Sequence, residues 1–121
     1  MIIGIGMDIV EVERVLRACG NVRFLEKYYT EEERKLIQNK RTSAATNFAA
    51  KEAVSKVFGT GFRGFTAQEI EVLRDELGRP YVCLHGNAEK MAASLGIVRM
   101  HISLSDTDTH AAAYAIGEGE G

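Results

Sequence analysis

Residues 2–8 alternate, with Ile3, Ile5 and Met7 on one side and Gly4, Gly6 and Asp8 on the other, the period-two pattern of a short strand that Asp8 closes on its glycine face. From Glu11 to Cys19 the period becomes helical. Val12, Val15, Leu16 and Cys19 share a face, Glu13, Arg14 and Arg17 lie opposite, and Gly20 stops the segment. Phe24, Leu25 and Tyr28 fall at helical spacing in a second short helix over 22–28. Thr30 and Glu33 form a capping box, which predicts a helix running to about Gln38.

The longest predicted element is a helix capped by Thr42 or Ser43 and stopped by Gly59. Ala50, Ala53, Val54 and Val57 make a stripe small enough for close packing, while Phe48, Glu52, Ser55 and Lys56 gather on another arc. After a loop over 59–67, Ile70 and Val72 alternate with Glu69 and Glu71, residues 75–79 turn, and 81–84 return as a β-hairpin. A short helix over 87–95 ends at Gly96. Val98, Met100, Ile102 and Leu104 then alternate with Arg99, His101, Ser103 and Ser105, and a turn at 106–108 leads back through Ala112, Tyr114 and Ile116. The pattern predicts an α+β fold: one small domain over 1–116, a mostly antiparallel sheet against one long and several short helices, and a flexible tail over 117–121.

Composition narrows the class. A chain of 121 residues, 45% hydrophobic and 26% charged, matches one globular domain able to bury roughly two thirds of its unfolded surface without staples. Charges interrupt every apolar run before the about 20 residues a membrane span needs. The apolar start has no basic flank and meets Asp8 early, so no export signal is expected. Cys19 and Cys83 are then expected as reduced thiols in a cytoplasmic protein.

The 15 basic and 17 acidic residues sum to −2, but unevenly. Residues 1–63 carry 11 basic and 8 acidic side chains, a balance of +3; residues 64–121 carry 4 and 9, a balance of −5. A basic first half suits an acidic partner. Nucleic acid is not indicated, because no basic run, aromatic-interleaved basic strand or zinc-finger spacing is present.

Gly59-Thr60-Gly61-Phe62-Arg63-Gly64 spells G-x-G-x-x-G, but it follows a helix and precedes a strand, the reverse of a dinucleotide-binding turn. It reads as a C-cap and loop whose N–H groups could meet a phosphate. Asp8 and Glu52 are the candidate carboxylate pair. Mg²⁺ is held by one or two carboxylates with waters and substrate phosphates, and Lys56, one turn beyond Glu52, could neutralise phosphate charge. The competing assignments are an exposed Glu52–Lys56 ion pair and a helix-capping Asp8. His101 is either structural or an anion contact; His85 and His110 have no assigned role. Ser103 and Ser105 lack the elbow of a hydrolase nucleophile.

Two longer stretches are more specific. Gly4-Ile5-Gly6-Met7-Asp8-Ile9-Val10-Glu11, followed by residues 48–61 reading Phe-Ala-Ala-Lys-Glu-Ala-Val-Ser-Lys-Val-Phe-Gly-Thr-Gly, resembles the paired signature motifs of the holo-[acyl-carrier-protein] synthases, the 4′-phosphopantetheinyl transferase family. Residues 78–81 and 100–105 continue the likeness in order across essentially the whole chain. The resemblance implies that family's fold and transfer of 4′-phosphopantetheine from coenzyme A to a serine of apo acyl carrier protein, with Mg²⁺ as cofactor. It also implies a homotrimer with coenzyme A in clefts between subunits. By the same resemblance Asp8 and Glu52 hold the metal, and Glu52 is the candidate to take the serine proton, directly or through water. Lys56, His101, Gly59, Gly61 and Pro80 fall on the coenzyme A side. Arg14 matches a carrier-protein contact, with Arg17 and Arg23 placed beside it.

One position departs: Asn47 stands where the family commonly has arginine, which would weaken a phosphate contact or move it to Arg41 or Arg63. The alternative functions are a non-catalytic module that binds coenzyme A or an acidic partner, and a structural trimerisation domain.

Overall fold

The computed structural model describes residues 1–121. Strand β1 (Ile2–Glu11) leads into helices α1 (Val12–Ala18), α2 (Val22–Tyr28), α3 (Glu31–Asn39) and α4 (Ser43–Phe58). A single 3₁₀ turn (Ala67–Glu69) precedes β2 (Ile70–Arg74) and β3 (Pro80–Leu84), and α5 (Gly86–Ser94), β4 (Ile97–Asp106) and β5 (His110–Gly119) complete the chain. Two antiparallel sheets result, β1-β5-β4 and β2-β3, so the α+β expectation holds. The capping box forms as expected: Glu33 N–H donates to Thr30 Oγ1 and Thr30 N–H to Glu33 Oε1.

The long helix α4 packs across the three-stranded sheet at a separation that side chains would not allow. A Cβ on Gly4 would lie 2.6 Å from the Val57 carbonyl oxygen, and one on Gly6 would collide with that of Ala53. Ala49, Ala50, Ala53, Val54 and Val57 meet Ala113 and Ala115 in this narrow layer, with Ile70, Val72 and Ile97 completing the core. Two residues of strand and four of helix both advance about 6 Å, so the glycine face of β1 keeps pace with successive turns of α4. Gly4 meets Val57 and Gly6 meets Ala53; Asp8, next on that face, comes level with the polar edge of α4.

Two boundaries move. Strand β1 continues past Asp8 to Glu11, because β5 pairs with it as far as His110, and the cap residue of α1 is Glu11. The helix-capping assignment of Asp8 is therefore excluded. At the other end the expected tail is ordered through Gly119: Glu118 pairs with Ile2 on one side and Arg99 on the other, and Gly119 N–H donates to the Met1 carbonyl at 2.7 Å. Ladder hydrogen bonds on both edges decide this, and they need no apolar side chain.

Candidate active site

Asp8, Glu52 and Lys56 come together where β1 crosses α4. Lys56 Nζ donates to Asp8 Oδ1 at 3.2 Å and to the Met7 carbonyl at 2.8 Å. The ion pair expected within the helix does not form; Glu52 instead accepts from the Tyr28 hydroxyl at 3.2 Å on Oε1. Burial pushes the Glu52 carboxyl above its ordinary range, the charge of Asp8 adds to the rise, and the Tyr28 hydrogen bond and Lys56 oppose it. Two carboxylates thus lie near one lysine that bonds only Asp8 of the two, with the Asp8 side chain 18% exposed and that of Lys56 52%. This hard oxygen set, with excess negative charge, fits Mg²⁺ held partly by substrate phosphates, and no third His, Cys, Asp or Glu joins it.

The loop after α4 lies at the helix C-terminus, as expected. Gly59 (φ 80°) is its left-handed cap and Gly61 (φ 64°) keeps a positive φ in the following turn; both are open around Cα.

His101 and Pro80 sit elsewhere. Along β4, Met100, Ile102 and Leu104 pack on the core, which turns His101, Ser103 and Ser105 to the outer face of the sheet. Asp8 lies on the α4 face, so one copy of the chain holds His101 and Asp8 on opposite sides of one sheet. A ring nitrogen of His101 hydrogen-bonds Glu118 Oε1 at 2.8 Å, the main reason the Glu118 carboxyl lies below its ordinary range. Pro80 opens β3 and lines a groove of about 730 Å³ with Lys40, Arg74, Arg79, Ser103 and Asp106.

Asn47 is fully buried. It donates to Glu33 Oε2 at 3.0 Å and to the Val72 carbonyl at 2.9 Å, and accepts from Arg74 Nη2 at 2.8 Å. The guanidinium beside Asn47 is that of Arg74, which also lines the Pro80 groove. Below it lies a wholly buried ion pair, Lys51 Nζ to Glu33 Oε1 at 2.8 Å; Lys51 also donates to the Ala67 and Ile70 carbonyls. Desolvation draws the Lys51 ammonium below its ordinary range against the pull of Glu33.

Arg14 and Arg17 are exposed on α1, each beside a glutamate, at 3.8 Å from Glu11 and 3.2 Å from Glu13 respectively, and Arg23 is exposed on α2. Arg14 also borders an apolar groove of about 650 Å³ that includes Ile9, Val15, Phe24 and Phe48.

Sequence reasoning missed Tyr28 and Arg74. By helical spacing Tyr28 reads only as an apolar helix position, and no spacing rule joins residues from separate elements.

A family model described as the 4′-phosphopantetheinyl transferase superfamily matches residues 4–115. A holo-[acyl-carrier-protein] synthase of Lachnoclostridium phytofermentans is 53% identical, the match covering 98% of this chain and 97% of the relative. One from Clostridium perfringens is 47% identical over 99% and 96%. The crystal structure of the Neisseria meningitidis holo-[acyl-carrier-protein] synthase superposes with a TM-score of 0.89 at 34% identity, covering 98% of this chain and 99% of that one. The Bacillus anthracis holo-(acyl-carrier-protein) synthase, solved in complex with CoA (3′,5′-ADP), gives 0.81 at 32% identity, covering 99% of each.

Proposed function

Since the chain belongs to the 4′-phosphopantetheinyl transferase superfamily, we infer that it is a holo-[acyl-carrier-protein] synthase whose reaction is carried by the Asp8–Glu52–Lys56 constellation. It transfers the 4′-phosphopantetheine of coenzyme A to a serine hydroxyl of apo acyl carrier protein. The serine oxygen forms a bond to the β-phosphorus, the bond to the bridging oxygen breaks, and adenosine 3′,5′-bisphosphate departs with that oxygen. The observation that carries this reading is the meeting of both motif carboxylates beside one lysine.

Asp8 and Glu52 are the residues that would hold Mg²⁺, which when bound offsets negative charge on the pyrophosphate. Lys56 supplies a fixed positive charge beside them, where phosphate charge develops on the leaving group. Glu52 takes the serine proton, directly or through one water, and its half-buried position limits competing solvation. The open glycines Gly59 and Gly61 let the backbone approach coenzyme A closely. His101 and Pro80 contribute from the other side of a cleft.

Because His101 and Asp8 occupy opposite sheet faces, their convergence on one coenzyme A requires two copies, in accord with a homotrimer whose sites lie between subunits. Ile5, Met7, Ile9 and Tyr114 form an exposed apolar stripe on the outer face of the sheet, the kind of surface that association buries. Arg14, with Arg17 and Arg23 beside it, gives the acidic carrier protein a docking surface at the rim of an apolar groove. The two free cysteines suit a cytoplasmic setting, and no helix is long and apolar enough to cross a membrane.

The test is to incubate the protein with coenzyme A, Mg²⁺ and apo carrier protein and to weigh the carrier. A gain of one phosphopantetheine is expected; binding of coenzyme A without that gain supports the non-catalytic module instead.

A further inference from the structure

The Glu52 carboxylate has one protein hydrogen-bond partner, and it is Tyr28. Lys56, four residues on, bonds Asp8 and the Met7 carbonyl instead, and no salt bridge reaches Glu52. Oε1 is therefore taken by the tyrosine hydroxyl, while Oε2 has no partner in the protein.

Tyr28 is itself held firmly. It is the last residue of α2, and its ring stacks on Phe48 at 4.8 Å with the planes 14° apart and on Phe24 at 5.1 Å and 16°. Phe62 meets it edge-on at 6.4 Å, and the Lys51 ammonium stands 5.7 Å from its centroid. Phe48 and Glu52 are one turn apart on α4, so the ring lies along the helix face with its hydroxyl at the carboxylate. The stack needs only a six-membered ring; the hydroxyl adds nothing to it. What the hydroxyl does is fix a carboxylate on a side chain that otherwise has several rotamers.

We propose that Tyr28 is a positioning residue that clamps Glu52 through Oε1 and leaves Oε2 as the oxygen available to the metal and the acceptor serine. This rests on the transferase reading for its catalytic consequence, but not for the clamp itself. A carboxylate free to rotate would lie off the productive geometry for part of the time, and small misplacements are costly in rate. Tyr28 acts through Glu52 and needs no contact with substrate.

The test is Tyr28→Phe, which keeps the ring in the stack, measured alone and in a Glu52→Gln background. Three readouts are used: the thermal midpoint, steady-state kinetics with Mg²⁺, and binding of Mn²⁺ as a probe metal, followed by loss of its free paramagnetic signal without substrates. The clamp predicts an essentially unchanged midpoint, kcat lower by about tenfold with the KM for coenzyme A within about twofold, and Mn²⁺ affinity weakened severalfold. In the Glu52→Gln background the second substitution should add nothing to either loss, since the group it positions is already altered. Unchanged kcat and Mn²⁺ affinity in Tyr28→Phe would overturn the clamp. So would losses of equal size in both backgrounds, which would make Tyr28 act independently of Glu52. Failure of the transferase reading shows itself separately, as a wild-type protein that binds Mn²⁺ with the predicted dependence on Tyr28 yet leaves the carrier unmodified.

Discussion

Lys56 bonds Asp8 across the β1–α4 contact, Nζ to Oδ1 at 3.2 Å, rather than Glu52 one turn away on its own helix. The ammonium is thereby anchored at the carboxylate pair while remaining half exposed, open to a phosphate. Lys56→Met should lower kcat/KM for coenzyme A by about 10²-fold. Stability should change by no more than about 1 kcal/mol, because a half-exposed pair contributes little. Activity measured beside a urea melt separates the two; a large stability loss with retained activity would make Lys56 structural.

Lys51 and Glu33 predict the reverse pattern. Both are fully buried, and removing one partner leaves the other charge stranded. Lys51→Met should cost about 3–5 kcal/mol, whereas adding Glu33→Gln should recover part of it. Denaturant melts of the two single variants and the double variant would show this coupling. Additive losses would contradict it.

The acid limb of stability should depend on Glu69. Its carboxylate accepts from the Thr66 and Asn87 N–H groups, each at 2.7 Å, and these bonds hold its carboxyl below the ordinary value of 4.5. A carboxyl lowered in the folded state binds protons more readily when unfolded. Its contribution is thus complete above the unfolded value and fades as pH falls through the folded one. The thermal-midpoint difference between wild type and Glu69→Gln should be present at neutral pH and shrink below about pH 4. A constant difference down to strongly acid pH would contradict this.

Arg14→Glu should raise the KM for the carrier protein more than that for coenzyme A, and added salt should imitate it, since Arg14 is an exposed side chain on α1 and does not line the Pro80 groove. Equal effects on both substrates would remove α1 from the docking surface.

Much of this was legible in the chain. Capping at Thr30, the period change after β1 and the alanine stripe of α4 are local patterns, and the structure follows them. Asp8 and Glu52 were legible as a pair because the motifs that carry them also carry Gly4, Gly6 and Ala53, the small residues that bring strand and helix together. Lys51 reads as a polar helix position beside that stripe; only the packing of α3 and β2 shows it buried against Glu33. Tyr28 was hidden for the same reason, since its hydroxyl meets a residue on another helix. The separation of His101 from Asp8 follows from strand register, which places them on opposite faces and which a single chain's motifs do not reveal.

The central claim, that Asp8 and Glu52 carry the transfer, is tested most directly by weighing apo carrier protein after incubation with coenzyme A, Mg²⁺ and wild-type, Asp8→Asn or Glu52→Gln enzyme. Each variant should be checked for an unchanged fold by circular dichroism. The account predicts a gain of one phosphopantetheine with wild type and initial rates lower by about 10² or more with either variant. Wild-type rates in both variants would contradict it.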